Sequence, residues 1–150
     1  MTESAENPDV VLVRRAVHDG LRDVPMDVNP LAADLGTRIV EAVPGRIRLS
    51  YLPGPRFIQG AGVVQGGIVA TMIDFALAFA VMTRLDGGAG AATVSLTVNF
   101  VKPVAGGRLL ICDARLDRLG GRMAFASAVL TDAEGELLAT GSSPLAVMLK

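Results

Sequence analysis

The 150-residue chain carries 14 lysines and arginines against 15 aspartates and glutamates, a net charge of −1, with 51% hydrophobic and 19% charged residues. With a mean hydropathy of +0.47, this excludes intrinsic disorder, which needs little apolar material and much net charge. It also offers no field to gather nucleic acid or anionic lipid, so neither is expected as a partner. One cysteine, Cys112, cannot form an internal disulfide, and one histidine, His18, cannot furnish a zinc or di-iron ligand cluster. We expect no metal, no cofactor and a reducing compartment.

The length suits a single domain spanning residues 1–150, with part of the apolar surface buried between subunits. The opening MTESAENPDV is acidic and polar where a secretory signal is basic and then apolar, so the expected location is the cytoplasm. Pro8 and Gly20 bound an N-terminal helix. Thr37 to Val43 and Arg46 to Leu52 read as a hairpin across Pro44-Gly45, followed by a Gly- and Pro-rich loop from Pro53 to Gly62.

The longest apolar run, Ile68 to Met82, follows Gly66-Gly67 and is broken only by Thr71 and Asp74. It is shorter than the roughly 20 residues of a membrane span and holds an acid near its centre, so no membrane helix is expected. Its alanine, leucine, methionine and phenylalanine content favours a helix, and apolar residues on every face predict that the helix is enclosed. It should end before Gly87, Gly88 and Gly90. Four strands follow, at 92–101, 108–116, 122–131 and 136–147. The turn signals Lys102-Pro103 with Gly106-Gly107, Gly120-Gly121, and Asp132 to Gly135 make them successive antiparallel strands. Thr93 to Phe100 alternates polar and apolar residues, so one face should point inward. An apolar helix between strands implies the α+β class, with a curved antiparallel sheet wrapped around a long central helix.

Asp74 is the residue with most chemical content, because a carboxylate in an enclosed helix must be paired, solvated or used. No lysine or arginine lies three or four positions away. Hydrogen bonds from backbone amides or a symmetry mate could hold it structurally; otherwise it serves as nucleophile or general base. Gly66-Gly67 opens the same helix, where unpartnered first-turn amides can seat an oxyanion. The spacing Gly60-Ala-Gly62-Val-Val-Gln65-Gly66 misses the dinucleotide fingerprint by one place and lacks its alternating strand-helix series. There is no G-x-S-x-G elbow, and Cys112 in a strand reads as packing.

The stretch from Asn29 through Leu35-Gly36 to Gly60-Ala-Gly-Val-Val-Gln-Gly-Gly-Ile-Val-Ala-Thr-Met-Ile-Asp74 resembles the hotdog-fold acyl-CoA thioesterases of the phenylacetate-pathway (PaaI-like) type. Thr93 to Phe100 followed by Val101-Lys-Pro103, and the Gly121-Arg122 turn, extend the likeness, giving a hotdog core over about 29–148. The resemblance implies an active site at a dimer interface, with two sheets joined edge to edge and tetramers common. It implies Asp74 as the catalytic carboxylate and Gly67 as oxyanion donor. Gln59 matches the residue that orients water or substrate, and Thr93 a hydroxyl that positions the nucleophilic water on the partner subunit's side. Members usually carry His-Gly-Gly, and Gln65 replaces that histidine; its amide can still donate a hydrogen bond but cannot carry a proton.

The function implied is hydrolysis of a medium-chain or aryl acyl-CoA. A thiolate leaves without the protonation an amine needs, so the missing histidine matters less than in an amidase. Gly66, Lys102 and Arg122, with Arg118 as a weaker candidate, are the expected substrate contacts, the cations meeting CoA phosphates. Phe57, Met72, Phe75 and Phe79 are either pocket wall or core. Two other readings remain: a hotdog protein that binds acyl-CoA or an apolar ligand without cleaving it, and a hotdog dehydratase or hydratase. The last normally needs a histidine beside its acid.

Overall fold

The computed structural model describes residues 6–86 and 88–149; residues 1–5 of the polar amino terminus and Gly87 of the expected helix exit lie outside the described residues. Helix α1 (Pro8–Asp19) forms where its boundary residues predict. The Asn7 side chain accepts from the Asp9 amide, Pro8 sits in the first turn, and Gly20 closes the helix at φ +61°. Its buried stripe, Val10, Val13 and Ala16, packs on the second strand and the central helix.

Two short pieces precede the hairpin, β1 (Val24–Pro25) and α2 (Pro30–Asp34), neither anticipated because they are too brief to show a hydrophobic period. Asn29 caps α2 through the Ala32 amide at 3.2 Å and donates to Asp9 at 2.8 Å, tying α2 to α1. The hairpin is β2 (Arg38–Val43) and β3 (Arg46–Tyr51), as expected. A 3-10 turn at Pro55–Phe57 lies within the loop, and the central helix α3 runs from Gly66 to Met82.

After α3 come β4 (Gly90–Thr93), β5 (Thr97–Phe100), β6 (Leu110–Leu119), β7 (Met123–Asp132) and β8 (Leu137–Met148). The expected single strand at 92–101 is therefore two. Thr93 pairs with Leu145 and Thr97 with Ser142, so three residues oppose two. The excess is absorbed at Val94, whose amide bonds Pro144 O at 3.0 Å, and at Ser95, whose carbonyl accepts the Ser143 hydroxyl at 2.6 Å. Pro144, which has no amide to donate, lies opposite this bulge.

All pairings are antiparallel, in the order β1-β2-β3-β6-β7-β8-β4, with β5 also on β8. The last strands are thus not a simple succession. Only β6, β7 and β8 form a meander; β4 and β5 pair with β8, while β6 crosses back to β3. Turn residues mark where a strand stops but not which neighbour it takes. At this sheet edge the alternation gives a half-buried face: Leu96 and Val98 pack against the core between exposed neighbours, while Val94 is 59% and Phe100 57% exposed.

Helix α3 packs on β3, β6, β7 and β8, and Ala124, Ala126 and Ala128 of β7 leave room for its larger residues. Met72, Ile73 and Leu77 are wholly buried, each worth about 1.5–3 kcal/mol on the transfer scale. The helix is not enclosed on every side, however. Gly67 is exposed and Ala70, Thr71, Asp74, Phe75 and Ala78 are half-buried, a stripe at three- and four-residue spacing that the sheet leaves uncovered. The architecture is the α+β hotdog fold, a curved antiparallel sheet around one long helix. Among the described residues no helix is long and apolar enough to cross a membrane, and no group of three or more His, Cys, Asp and Glu is placed to hold a metal.

Candidate functional site

The start of α3 supplies free donors. Gln65 is the N-cap, with an exposed side chain that makes no capping bond, and its carbonyl accepts from the Ile68 and Val69 amides at 2.9 and 3.1 Å. The amides of Gly66 and Gly67 have no acceptor among the described residues, and they stand at the positive end of the helix dipole. A Cβ on Gly67 would meet nothing within 4 Å, whereas one on Gly66 would lie 3.7 Å from the Phe100 ring. The helix start is therefore open beside Gly67 and bounded beside Gly66 by an aromatic ring.

Gln59 reaches this region from a tight turn. Its amide bonds Val63 O and its carbonyl accepts the Gly62 amide, both at 2.9 Å, while its side-chain Oε1 accepts from Ala61 N at 2.7 Å. The side-chain oxygen is thus committed to the turn, and only the NH2 end is available to a ligand. Gln59, Val63, Gly66, Val69, Phe100 and Val101 line a groove of about 300 Å3, with Lys102 also on its wall.

Asp74 does not line that groove. It lies on the uncovered stripe, seven residues after Gly67, which is about 10 Å along the helix axis. Its Oδ1 accepts the Thr93 hydroxyl at 2.7 Å, and it takes part in no ion pair among the described residues. Thr93 belongs to the same chain, so hydroxyl and carboxylate enter the site together. That bond fixes one oxygen and leaves Oδ2 for chemistry. A carbonyl served by both an oxyanion donor and a nucleophile lies about 3 Å from each, while Gly67 and Asp74 of one helix are set apart by about 10 Å of axial rise.

The remaining expected contacts divide between these two clusters. The Lys102 ammonium, beside the groove, is paired with Glu136. Arg118 and Arg122 are exposed at the β6–β7 turn, and the Arg122 carbonyl accepts from Val147, the residue paired with Ala91 of β4. Arg122 is therefore on the Thr93 side. Of the four apolar candidates, Met72 and Phe79 are core, while Phe57 and Phe75 are half-buried; Phe75 stacks on Phe79 with centroids 5.5 Å apart.

Two residues escaped the sequence reading. Phe100 passed as one apolar place in an alternating strand, although its position beside Lys102-Pro103 puts it at the strand's exposed end. Tyr51, the sole tyrosine, is fully buried and donates its hydroxyl to Met72 O at 2.7 Å; a buried phenol needs a partner, and that requirement was the available signal. Burial, then the neighbouring Cys112 and Asp74, push the Tyr51 phenol well above its ordinary range. Burial, then Asp113, push the Cys112 thiol up to about 12, which makes Cys112 an unreactive packing residue.

The family model described as the thioesterase superfamily matches residues 61–139. A protein of Halobacterium salinarum with a provisional esterase name is 34% identical over 115 residues, 73% of this chain and 75% of that protein. An acyl-coenzyme A thioesterase of Xenopus laevis is 31% identical over 66% of this chain, which spans only 43% of that longer relative. Among solved structures, a thioesterase-like, phenylacetic acid degradation-related protein of Ralstonia eutropha is 32% identical, with a TM-score of 0.72 over 79% of this chain and 90% of its own.

Proposed function

The chain belongs to the thioesterase superfamily, and from that membership we propose that it hydrolyses a medium-chain or aryl acyl-CoA to the free acid and CoA. The observation that carries the reading is Asp74: a carboxylate on an uncovered helix stripe, oriented by Thr93 and paired with no cation among the described residues. The site is built by two copies. Asp74 and Thr93 of one subunit face the α3 start of the other, with its Gly67 amide beside the groove that Gln59 and Gly66 line, because about 10 Å of helix separates Gly67 from Asp74 in a single chain. The uncovered α3 stripe and the open edge of β4 and β5 are the surfaces such a homodimer, or a tetramer built from it, would bury.

In this arrangement the thioester oxygen accepts from the Gly67 amide, with Gly66 beside it, at the positive end of α3. Asp74 either attacks the acyl carbon or takes a proton from the attacking water, while the Thr93 hydroxyl holds Oδ1. The C–S bond breaks and its electrons leave on the CoA thiolate; where Asp74 is the nucleophile, water then cleaves the acyl–Asp74 anhydride, releasing the free acid and restoring the carboxylate. The NH2 group of Gln59 and the side-chain amide of Gln65 orient water or substrate. Lys102, after exchanging Glu136 for a phosphate, and Arg122 with Arg118 meet the CoA phosphates. The one cysteine, buried and free, suits a reducing compartment, and the cytoplasm is the proposed setting.

The test is a panel of acyl-CoAs with a thiol reagent. Asp74→Asn is expected to lower kcat by about 10²–10⁴-fold while acyl-CoA still binds in calorimetry; undiminished turnover would refute the mechanism. A second reading, ligand binding without hydrolysis, is favoured by Gln65 in the histidine position. Calorimetric binding with no thiol released from any substrate would establish it.

A further inference from the structure

Three consecutive residues of α3 are each engaged by a different strand. The Met72 carbonyl accepts the Tyr51 hydroxyl of β3 at 2.7 Å. The Ile73 side chain presses on Gly141 of β8 so closely that a Cβ there would lie 2.3 Å from Ile73 Cγ2. Asp74 takes the Thr93 hydroxyl of β4 at 2.7 Å.

These contacts do something that the rest of the helix packing does not. Apolar burial is non-directional, and α3 is apolar over most of its circumference, so burial alone leaves its rotation and axial position weakly fixed. A hydrogen bond and a close steric fit are directional. Ile73 is β-branched, which confines it largely to one rotamer in a helix and makes its contact with Gly141 a rigid one. Tyr51 has no water alternative, since it is 0% exposed, and its hydroxyl meets the helix two residues before Asp74.

We propose that Tyr51 and Gly141 are positioning residues for Asp74: they set the turn that carries the carboxylate so that it meets Thr93 and, on the functional reading above, the thioester. Neither touches substrate. In the regular helix ladder the Met72 carbonyl also accepts the Ala76 amide, so Tyr51→Phe leaves no buried acceptor unpaired. That variant therefore removes the alignment with little damage to the fold. Gly141→Ala acts from the other side by pushing Ile73, and with it the turn, away from β8.

The experiment compares the full-length protein with Tyr51→Phe, Gly141→Ala and the pair Gly141→Ala with Ile73→Leu, which moves the side-chain branch off Cβ. Gly20→Ala, at the end of α1 where an added Cβ meets nothing within 4 Å, controls for stability loss alone. For an acyl-CoA that the wild-type protein cleaves, Tyr51→Phe and Gly141→Ala are each expected to lower kcat about tenfold with KM within about twofold. Ile73→Leu should restore most of the loss in the Gly141→Ala background, and Gly20→Ala should lower Tm without changing kcat. Crystal structures of the two single variants should show the Asp74–Thr93 bond lengthened or broken. Unchanged kcat in Tyr51→Phe, or an intact Asp74–Thr93 bond in both variants, would overturn the proposal. If the wild-type protein cleaves no acyl-CoA, the functional reading fails, while the Asp74–Thr93 geometry still decides the positioning claim.

Discussion

A shared site makes a quantitative prediction about mixed dimers. Gly67→Pro removes the proposed oxyanion N–H in the first turn of the helix, where proline is tolerated, and an added Cβ there meets nothing within 4 Å. Asp74→Asn removes the carboxylate. Loss of one oxyanion donor costs about 10²–10³-fold and loss of the acid or base about 10²–10⁴-fold, so each variant alone should be nearly inactive. The two positions stand about 10 Å apart on one helix, too far to act on one carbonyl. A dimer with one copy of each variant therefore holds one intact site and one doubly altered site. Purified mixed dimers should recover about half of wild-type activity, and a random equal mixture about a quarter. The counterpart is a dimer of wild-type chain with a Gly67→Pro/Asp74→Asn double variant, in which neither site is intact and activity should vanish. With differently tagged copies co-expressed and separated, and thiol release as the assay, the reasoning is refuted if the variant pair stays dead and the wild-type/double dimer keeps about half of its activity. A monomer in gel filtration would refute it as well.

Two further outcomes concern stability. Gly36 sits at φ +63° and a Cβ there would lie 2.9 Å from the Leu52 carbonyl oxygen, whereas Gly20 has φ +61° but nothing within 4 Å. Gly20→Ala should cost only the left-handed strain, about 1–2 kcal/mol, and Gly36→Ala that strain plus a backbone clash, about 2–4 kcal/mol together; equal urea midpoints would contradict this. Cys112 predicts an alkaline loss. Its thiol ionises at 9.0 ordinarily and at about 12 in the fold, so between these values the folded state holds a proton that the unfolded chain has released. Stability is full below the lower value and falls as pH rises through the window, by at most about 1.4 kcal/mol per unit. Tyr51, also raised, acts in the same direction at higher pH. Cys112→Ala should flatten the fall in Tm between pH 9 and 10, and an unchanged slope would sink the assignment.

Local chemistry wrote much of this molecule into its sequence. Asn7, Pro8 and Gly20 define α1 through capping and backbone freedom, Pro44-Gly45 closes the β2–β3 hairpin, and Gly66-Gly67 with the apolar run defines α3. Asp74 stood out because an acid in an apolar helix demands an explanation, and the free amides at Gly66 and Gly67 follow from helix geometry alone. Each of these inferences uses residues within a few places of one another.

Whatever depends on residues far apart in the chain was decided only by the tertiary structure. The bulge that divides β4 from β5 arises from their register against β8, with Pro144 opposite, some fifty residues away. Thr93 on Asp74, Tyr51 on the Met72 carbonyl and Gly141 against Ile73 join three strands and a helix, and no periodicity encodes such meetings. The uncovered stripe of α3 is invisible in a helix that is apolar nearly all round, because hydropathy records how much surface seeks burial and not which face the sheet leaves bare.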